Sequence, residues 1–356
     1  MIIKNVLDVI VVKNCVLKKL FLLNNKTILV TGCSGFIGSY LCMRLLSDYD
    51  VTIIGVDNNN DYYDVSLKEY RLDKITKLNK KFTFIKGDIS DKAFIDKLFN
   101  DYKFDIVVNL AAQAGVRYSI DHPDVYMESN IIGFYNILEA VRYHKCEHLV
   151  YASSSSVYGG NTKVPFSTDD RVDNPVSLYA ATKKTNELLA YTYSRLYDIK
   201  VTGLRFFTVY GPAGRPDMAY FSFTNKLIKN EKIKIFNFGK CQRDFTYVDD
   251  IVEGITRIIN KGPIDDYNLY NIGNNHPENL MDFVYTLANS LIKYEILPKD
   301  FNIDEHMELV EMQPGDVPTT YADTSLLEKD YGFKPNTSLQ EGLDRFAKWY
   351  KEYYEV

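Results

Sequence analysis

The chain has 356 residues, 46% hydrophobic and 25% charged, with a formal net charge of −5. That length carries two or three domains' worth of core, in an ordinary composition for a soluble globular protein. The net charge excludes any global electrostatic pull toward nucleic acid or an anionic membrane.

Cysteine usage and hydropathy narrow the class further. Cys15, Cys33, Cys42, Cys146 and Cys241 are odd in number and lack pairing or metal spacing, which suits reduced thiols in a cytosol. Five histidines also lack ligand spacing, so no metal site is expected. No run approaches the roughly 18–20 apolar residues that span a bilayer. Near the start, the apolar run 9–12 is broken by Lys13, and Lys18 and Lys19 interrupt the next, a poor signal peptide. Residues 1–25 are read as an N-terminal extension.

From residue 26 the chain alternates strands and helices. Residues 26–31 form a short buried-strand pattern that runs into Gly32-Cys33-Ser34-Gly35-Phe36-Ile37-Gly38 and then a helical pattern over 39–47. Strand, glycine turn and helix are the context a dinucleotide fingerprint requires. The missing side chains let backbone N–H groups and a helix N-terminus approach a pyrophosphate, so Gly32, Gly35, Phe36, Ile37 and Gly38 are candidate cofactor residues. The next strand, 51–56, ends at Asp57. A carboxylate there is placed to accept from the adenosine ribose hydroxyls and to repel a 2′-phosphate, and no Arg or Lys follows closely, so NAD is favoured over NADP. The same Asp also suits a turn before Asn58-Asn59-Asn60.

Residues 60–81 are polar and rich in Tyr and Lys, and read as a loop and helix. A third strand over 82–85 leads to Asp88 and Ile89, and a helix over 91–101 precedes a strand over 105–109. Small residues follow in Leu110-Ala111-Ala112-Gln113-Ala114-Gly115-Val116-Arg117-Tyr118-Ser119, where the backbone can lie close to a cofactor. A long helical segment over 123–144 holds Asn130. Asp88, Ile89, Ala111, Ala112, Asn130 and Phe206 complete the candidate cofactor set.

The run 148–152 reads as a buried strand and delivers Ser153-Ser154-Ser155-Ser156. Downstream, Tyr179 and Lys183 lie four residues apart, on one face of a helix running to about 197. A tyrosine beside an ammonium can act as a base near neutral pH: a drop of about three units from 10 takes about 4 kcal/mol. A helix with a buried Tyr and a snorkelling Lys would show the same spacing. A sixth strand is expected over 200–206.

Beyond 207 the pattern changes. A loop 211–217 precedes a helix over 219–230 and a strand over 233–238. Arg243 to Asp250 leads into a helix over 251–260, a strand over 267–272, further helices, a loop containing Asp316, and a terminal helix over 338–353. The expected fold is α/β, a doubly wound parallel Rossmann sheet over 26–206 with a smaller α/β substrate lobe over 207–356, some of whose segments return to the first domain. Arg215 and Arg243 are the two cations expected on a diphosphate, although either could instead form a surface salt bridge.

Tyr-x-x-x-Lys with an upstream Ser resembles the short-chain dehydrogenase/reductase superfamily. From about 26 to 354 the chain resembles its extended members that act on nucleotide sugars, most closely the UDP-glucuronate 4-epimerases. Leu110 to Ser119, Ser177 to Asn186, Leu204 to Asp217, Arg243 to Asp250 and Met312 to Asp323 carry that resemblance. Ala213 departs from it, standing where that branch usually has Trp. The resemblance implies tightly bound NAD and a UDP-sugar, with Tyr179 as base. It makes Lys183 the residue that holds the nicotinamide ribose and lowers the Tyr179 pKa. Ser154 would bond the sugar 4-hydroxyl, with Ser155 and Ser156 as near alternatives. Thr208 and Arg215 would meet the phosphate and sugar-acid region, Arg243 the UDP diphosphate, and Asp316 the substrate. Arg117, Ser119 and Arg215 are candidates for restraining a uronate carboxylate. The resembling 4,6-dehydratases carry Asp-Glu at Ser154-Ser155, and the decarboxylases carry Glu at Ser155; here both are hydroxyls. The resemblance also implies a cytoplasmic homodimer paired through the helices 124–144 and 176–197. Neutral-sugar epimerisation, decarboxylation to a UDP-pentose, a non-catalytic nucleotide sensor and an interaction scaffold are the competing readings.

Overall fold

The computed structural model describes residues 23–312 and 319–356. Most of the expected N-terminal extension and the loop bearing Asp316 lie outside them. Seven apolar runs become strands: β1 (Thr27–Thr31), β2 (Thr52–Asp57), β3 (Phe82–Lys86), β4 (Ile106–Asn109), β5 (His148–Ser154), β6 (Val201–Phe206) and β10 (Tyr267–Ile272). They form one parallel sheet in the order β3-β2-β1-β4-β5-β6-β10. Leu29 faces Ile54 on one neighbour and Val107 on the other, all three buried. Such strands are covered on both faces, so continuous Val/Ile/Leu runs replace alternation. The strand order reverses between β1 and β4, where the carboxyl ends of the strands open a crevice.

β10 comes from the C-terminal half, which therefore contributes the seventh strand of the main sheet. The helix α6 (Val248–Lys261) of that half packs on α1 (Phe36–Asp48). The rest of that half builds smaller sheets. β7 (Thr208–Tyr210), β9 (Gln242–Tyr247) and β11 (Pro277–Asn279) form one, and β8 (Ile233–Ile235) pairs with β12 (Met307–Leu309). The strand expected over 233–238 stops at Ile235 because Asn237 and Phe238 both adopt left-handed backbone, φ +50° and +51°. Where the sequence pattern predicts only a lead into a helix, β9 forms between β7 and β11, partners that lie some thirty residues away on either side. Between β2 and β3 runs α2 (Val65–Thr76), and α3 (Lys92–Asp101) precedes β4. Among the described residues no helix is long and apolar enough to cross a membrane.

The helical segment 123–144 is not uniform. It opens with Pro123 at its first turn, passes through a π-helical turn over Met127–Ile132, and continues as α4 (Gly133–His144). Asn130 sits in that π turn, the kind of local widening that often accompanies a functional site.

The helix α5 (Leu178–Tyr197) starts where Ser177 accepts a bond from the Ala180 N–H at 3.1 Å. It is pinned to the sheet by a buried fork: Arg205 Nε and Nη2 donate to Glu187 Oε1 and Oε2 at 2.8 and 2.9 Å, and Ser153 Oγ donates to Oε1 at 2.7 Å. The helix ends at Asp198, exposed and left-handed at φ +54°. A carboxylate at a helix C-terminus opposes the dipole, and a Cβ is strained there. Asp198→Gly is expected to stabilise the protein by about 1 kcal/mol, read as a raised urea midpoint at unchanged m-value; an unchanged midpoint would show that neither penalty acts.

Candidate active site

A cleft of about 980 Å³ opens at the strand-order reversal, between the carboxyl ends of the main sheet and the smaller lobe. Its floor is the glycine turn. Gly32 has φ +71°, and a Cβ there would meet the Ala111 nitrogen at 2.8 Å; one on Gly38 would lie 2.1 Å from the Gly32 carbonyl oxygen. The turn closes only with glycine, and α1 begins directly at it with no side chain capping its first N–H groups. Those groups and the helix dipole suit a pyrophosphate. Asp57 stands at the end of β2, its carboxylate oriented by the Ser34 N–H at 3.2 Å and the Asn59 N–H at 2.9 Å. Gly35, Phe36, Ile37, Asp88, Ile89, Ala111, Ala112 and Phe206 also line the cleft. This wall fits a dinucleotide.

A cation does stand near Asp57: Lys68, reaching in from α2, donates to the Asn60 carbonyl and side-chain oxygen at 2.8 Å each and interacts with the Asp57 carboxylate. It follows by eleven residues, and only the fold of 58–68 brings it back.

The opposite wall carries the reactive groups. Strand pleating sends Ser153 down to Glu187 and leaves Ser154 in the cleft wall beside Tyr179. Ser154 Oγ accepts from the Ser156 N–H and hydroxyl at 3.2 and 2.8 Å, so its own proton remains to donate. Burial pushes the Tyr179 phenol up, against the Ser154 hydroxyl and the Arg215 guanidinium, which pull it down. Ser154 and Arg215 thus oppose the effect of burial. Lys183 is buried with its Nζ 6.0 Å from the Tyr179 ring centre, donating to the Ala152 carbonyl at 3.0 Å.

Burial pushes Lys183 down to about 8. The folded state releases this proton before the unfolded chain does. The burial cost is therefore fully present below about pH 8 and is relieved as pH rises from there toward 10.5. If turnover needs the ammonium, kcat is expected to fall above about pH 8 while the Lys183 contribution to stability improves. A pH–rate profile beside a pH series of unfolding midpoints checks both; flat activity to pH 10 would show that the charge is not needed.

Further round the cleft, Arg215 makes a two-point bond to Asp217 at 3.0 and 2.5 Å, and Tyr62 donates to the same carboxylate at 3.3 Å. Arg117 lies over the Phe236 ring at 5.0 Å, and Arg243 Nη1 donates to the Gln242 carbonyl at 2.9 Å. Thr208, Ser155 and Ser156 also line the cleft.

A family model described as GDP-mannose 4,6 dehydratase matches residues 29–346. The chain belongs to this family. Among its relatives, Protein CapI of Staphylococcus aureus is 51% identical, covering 92% of this chain and 99% of that one. UDP-glucuronate 4-epimerase 4 of Arabidopsis thaliana is 45% identical, over 93% of this chain and 76% of the relative. Among solved structures, UDP-glucuronic acid 4-epimerase from Bacillus cereus, in complex with UDP-glucuronic acid and NAD, superposes with a TM-score of 0.83 at 32% identity, covering 92% of this chain and 100% of that one.

Within this member of the GDP-mannose 4,6 dehydratase family, two expected contact residues lie behind the cleft wall. Asn130 accepts from the Gln113 N–H at 2.9 Å and donates to the Gln113 carbonyl and the Thr182 hydroxyl at 3.0 and 3.1 Å. It ties the loop after β4 to α5 and does not line the cleft. Ser119 donates to the Val116 carbonyl at 2.6 Å and accepts from the Tyr179 N–H at 3.4 Å. Its hydroxyl is spent on positioning the first turn of α5, so it is not placed to restrain a carboxylate. Spacing could not separate these roles, because a buried amide and a ligand-binding amide look alike in sequence. Tyr62, Lys68, Asp217 and Phe236 are cleft residues that sequence reasoning missed. Only the tyrosine and lysine content of 60–81 hinted at the first two.

Proposed function

We propose that this chain catalyses the NAD-dependent 4-epimerisation of a UDP-sugar, converting UDP-glucuronate to UDP-galacturonate. The observation that carries the reading is the placement of Tyr179, Lys183 and Ser154 on one wall of a cleft whose other wall fits a dinucleotide. NAD, when bound, supplies a reversible hydride acceptor for C4. Tyr179 Oη takes the 4-hydroxyl proton and later returns it; Ser154 holds the substrate oxygen through its remaining proton. Lys183 supplies the buried charge beside the tyrosine ring. Arg215 and Arg243 engage the diphosphate and sugar-acid region, and Thr208 and Arg117 border the sugar.

The family is described by a dehydratase, yet Ser154 and Ser155 offer only hydroxyls where elimination or decarboxylation would need a carboxyl group. That favours epimerisation. The exposed apolar residues Met127, Tyr135, Leu188 and Tyr191 on the two long helical segments support a homodimer formed through them. The four buried free cysteines among the described residues agree with a cytoplasmic setting.

The deciding experiment incubates purified protein with UDP-glucuronate and, separately, UDP-glucose, with no NAD added. UDP-galacturonate is the expected product. A UDP-pentose with released carbon dioxide would make this a decarboxylase, and turnover of UDP-glucose alone would make it a neutral-sugar epimerase.

A further inference from the structure

Arg71, on α2, is 1% exposed and forms no ion pair with any carboxylate among the described residues. Its donors go instead to the backbone of two separate segments. Nε and Nη2 donate to the successive carbonyls of Ala213 and Gly214, both at 2.9 Å, while Nη1 donates to the Ser34 carbonyl at 3.1 Å and the Tyr63 hydroxyl at 2.7 Å. Ser34 belongs to the glycine turn. Ala213 and Gly214 lead directly into Arg215. Ala213 holds φ +50°, uncommon for a residue with a Cβ, in the turn that carries its carbonyl to the guanidinium. A second strut runs alongside: Tyr62, next to Tyr63, donates to Asp217, the carboxylate that orients Arg215.

We propose that Arg71 is a positioning residue that couples the dinucleotide turn to the loop bearing Arg215, so that cofactor and sugar nucleotide strengthen each other's binding. It does not line the cleft, so it acts only through the two segments it joins. A guanidinium suits this task because its rigid planar fork fixes two acceptors relative to a third; an ammonium cannot reproduce that spacing. Coupling of this kind is reciprocal and is measured as one factor. The inference rests on reading the cleft as an NAD and UDP-sugar site.

The test compares NAD retained by the full-length holoenzyme across a dilution series, without and with saturating UDP. In the unaltered protein UDP is expected to tighten NAD binding by about tenfold. In Arg71→Lys the factor should collapse to near one. Tyr63→Phe, which removes only the hydroxyl bracing Nη1, should give an intermediate factor, and it decides the matter if Arg71→Lys does not fold. A folded Arg71→Lys with a lower melting temperature but an unchanged factor would make Arg71 a structural brace and overturn the proposal. So would an unaltered protein with no coupling, or, if Arg71→Lys fails to fold, an unchanged factor in Tyr63→Phe. Failure of UDP to bind the unaltered protein would instead overturn the UDP-sugar reading on which the proposal rests.

Discussion

Tyr179→Phe is expected to lower kcat by about 10²- to 10⁴-fold while leaving NAD and UDP binding largely unchanged. The phenol oxygen stands beside the Ser154 hydroxyl on the reactive wall, and the proposed mechanism makes it the base for the substrate alcohol. Its ring packs edge-on to Tyr126 at 6.1 Å between centroids, a contact phenylalanine keeps. The loss should therefore fall on chemistry and not on shape. Because burial raises the phenol's pKa and Arg215 opposes it, the residual titration is informative too. Removing Arg215 should shift the acidic limb of the pH–rate profile upward in the unaltered enzyme and leave no such limb to shift in Tyr179→Phe. A variant that kept more than a tenth of the original kcat in the product assay would place the base elsewhere.

Glu187→Gln is expected to destabilise the protein by about 3–5 kcal/mol. The substitution keeps the shape and one carbonyl oxygen but leaves the Arg205 guanidinium, 1% exposed, without its counter-charge. Arg205 Nη1 already has no hydrogen-bond partner, so the site has nothing in reserve. The stacking of Arg205 on Tyr158 at 4.8 Å does not replace a carboxylate. Since Ser153 shares the Glu187 oxygen and adjoins Ser154, part of the effect should reach kcat through the register of β5 against α5. Denaturant unfolding and product assays check the two parts. Replacing both partners, as Glu187→Met with Arg205→Met, should recover much of the lost stability, because no buried charge is then left alone. A Glu187→Gln loss below about 1 kcal/mol would show that water reaches the guanidinium.

Much of the scaffold was legible in the chain. Six of the seven strands of the main sheet announce themselves as apolar runs flanked by turns, in a chain order that implies parallel crossovers, and β10 was visible as a strand though not as a member of this sheet. The serine cluster marks the limit of that reading. Ser153 and Ser154 occupy opposite faces at the end of β5, and pleating gave Ser153 to the buried ion pair and Ser154 to the cleft, while Ser155 and Ser156 begin the short 3-10 turn that follows. Ser119 and Asn130 show the same limit from the other side: residue types that suit a ligand were spent on the backbone of the wall.

By itself the sequence determined whatever depends on short spacing. The glycine turn is one case, since a Cβ at Gly32 or Gly38 collides with nearby backbone. The Tyr179–Lys183 pair is another, since 3.6 residues per turn place both on one face of α5. Only the tertiary structure decided which residues support these groups. Arg71 meets Ala213 across 142 positions of chain, and Lys68 returns to Asp57 through a folded loop. Such contacts follow no period and leave no composition signal, because a buried polar group is satisfied by whichever distant backbone the fold presents to it.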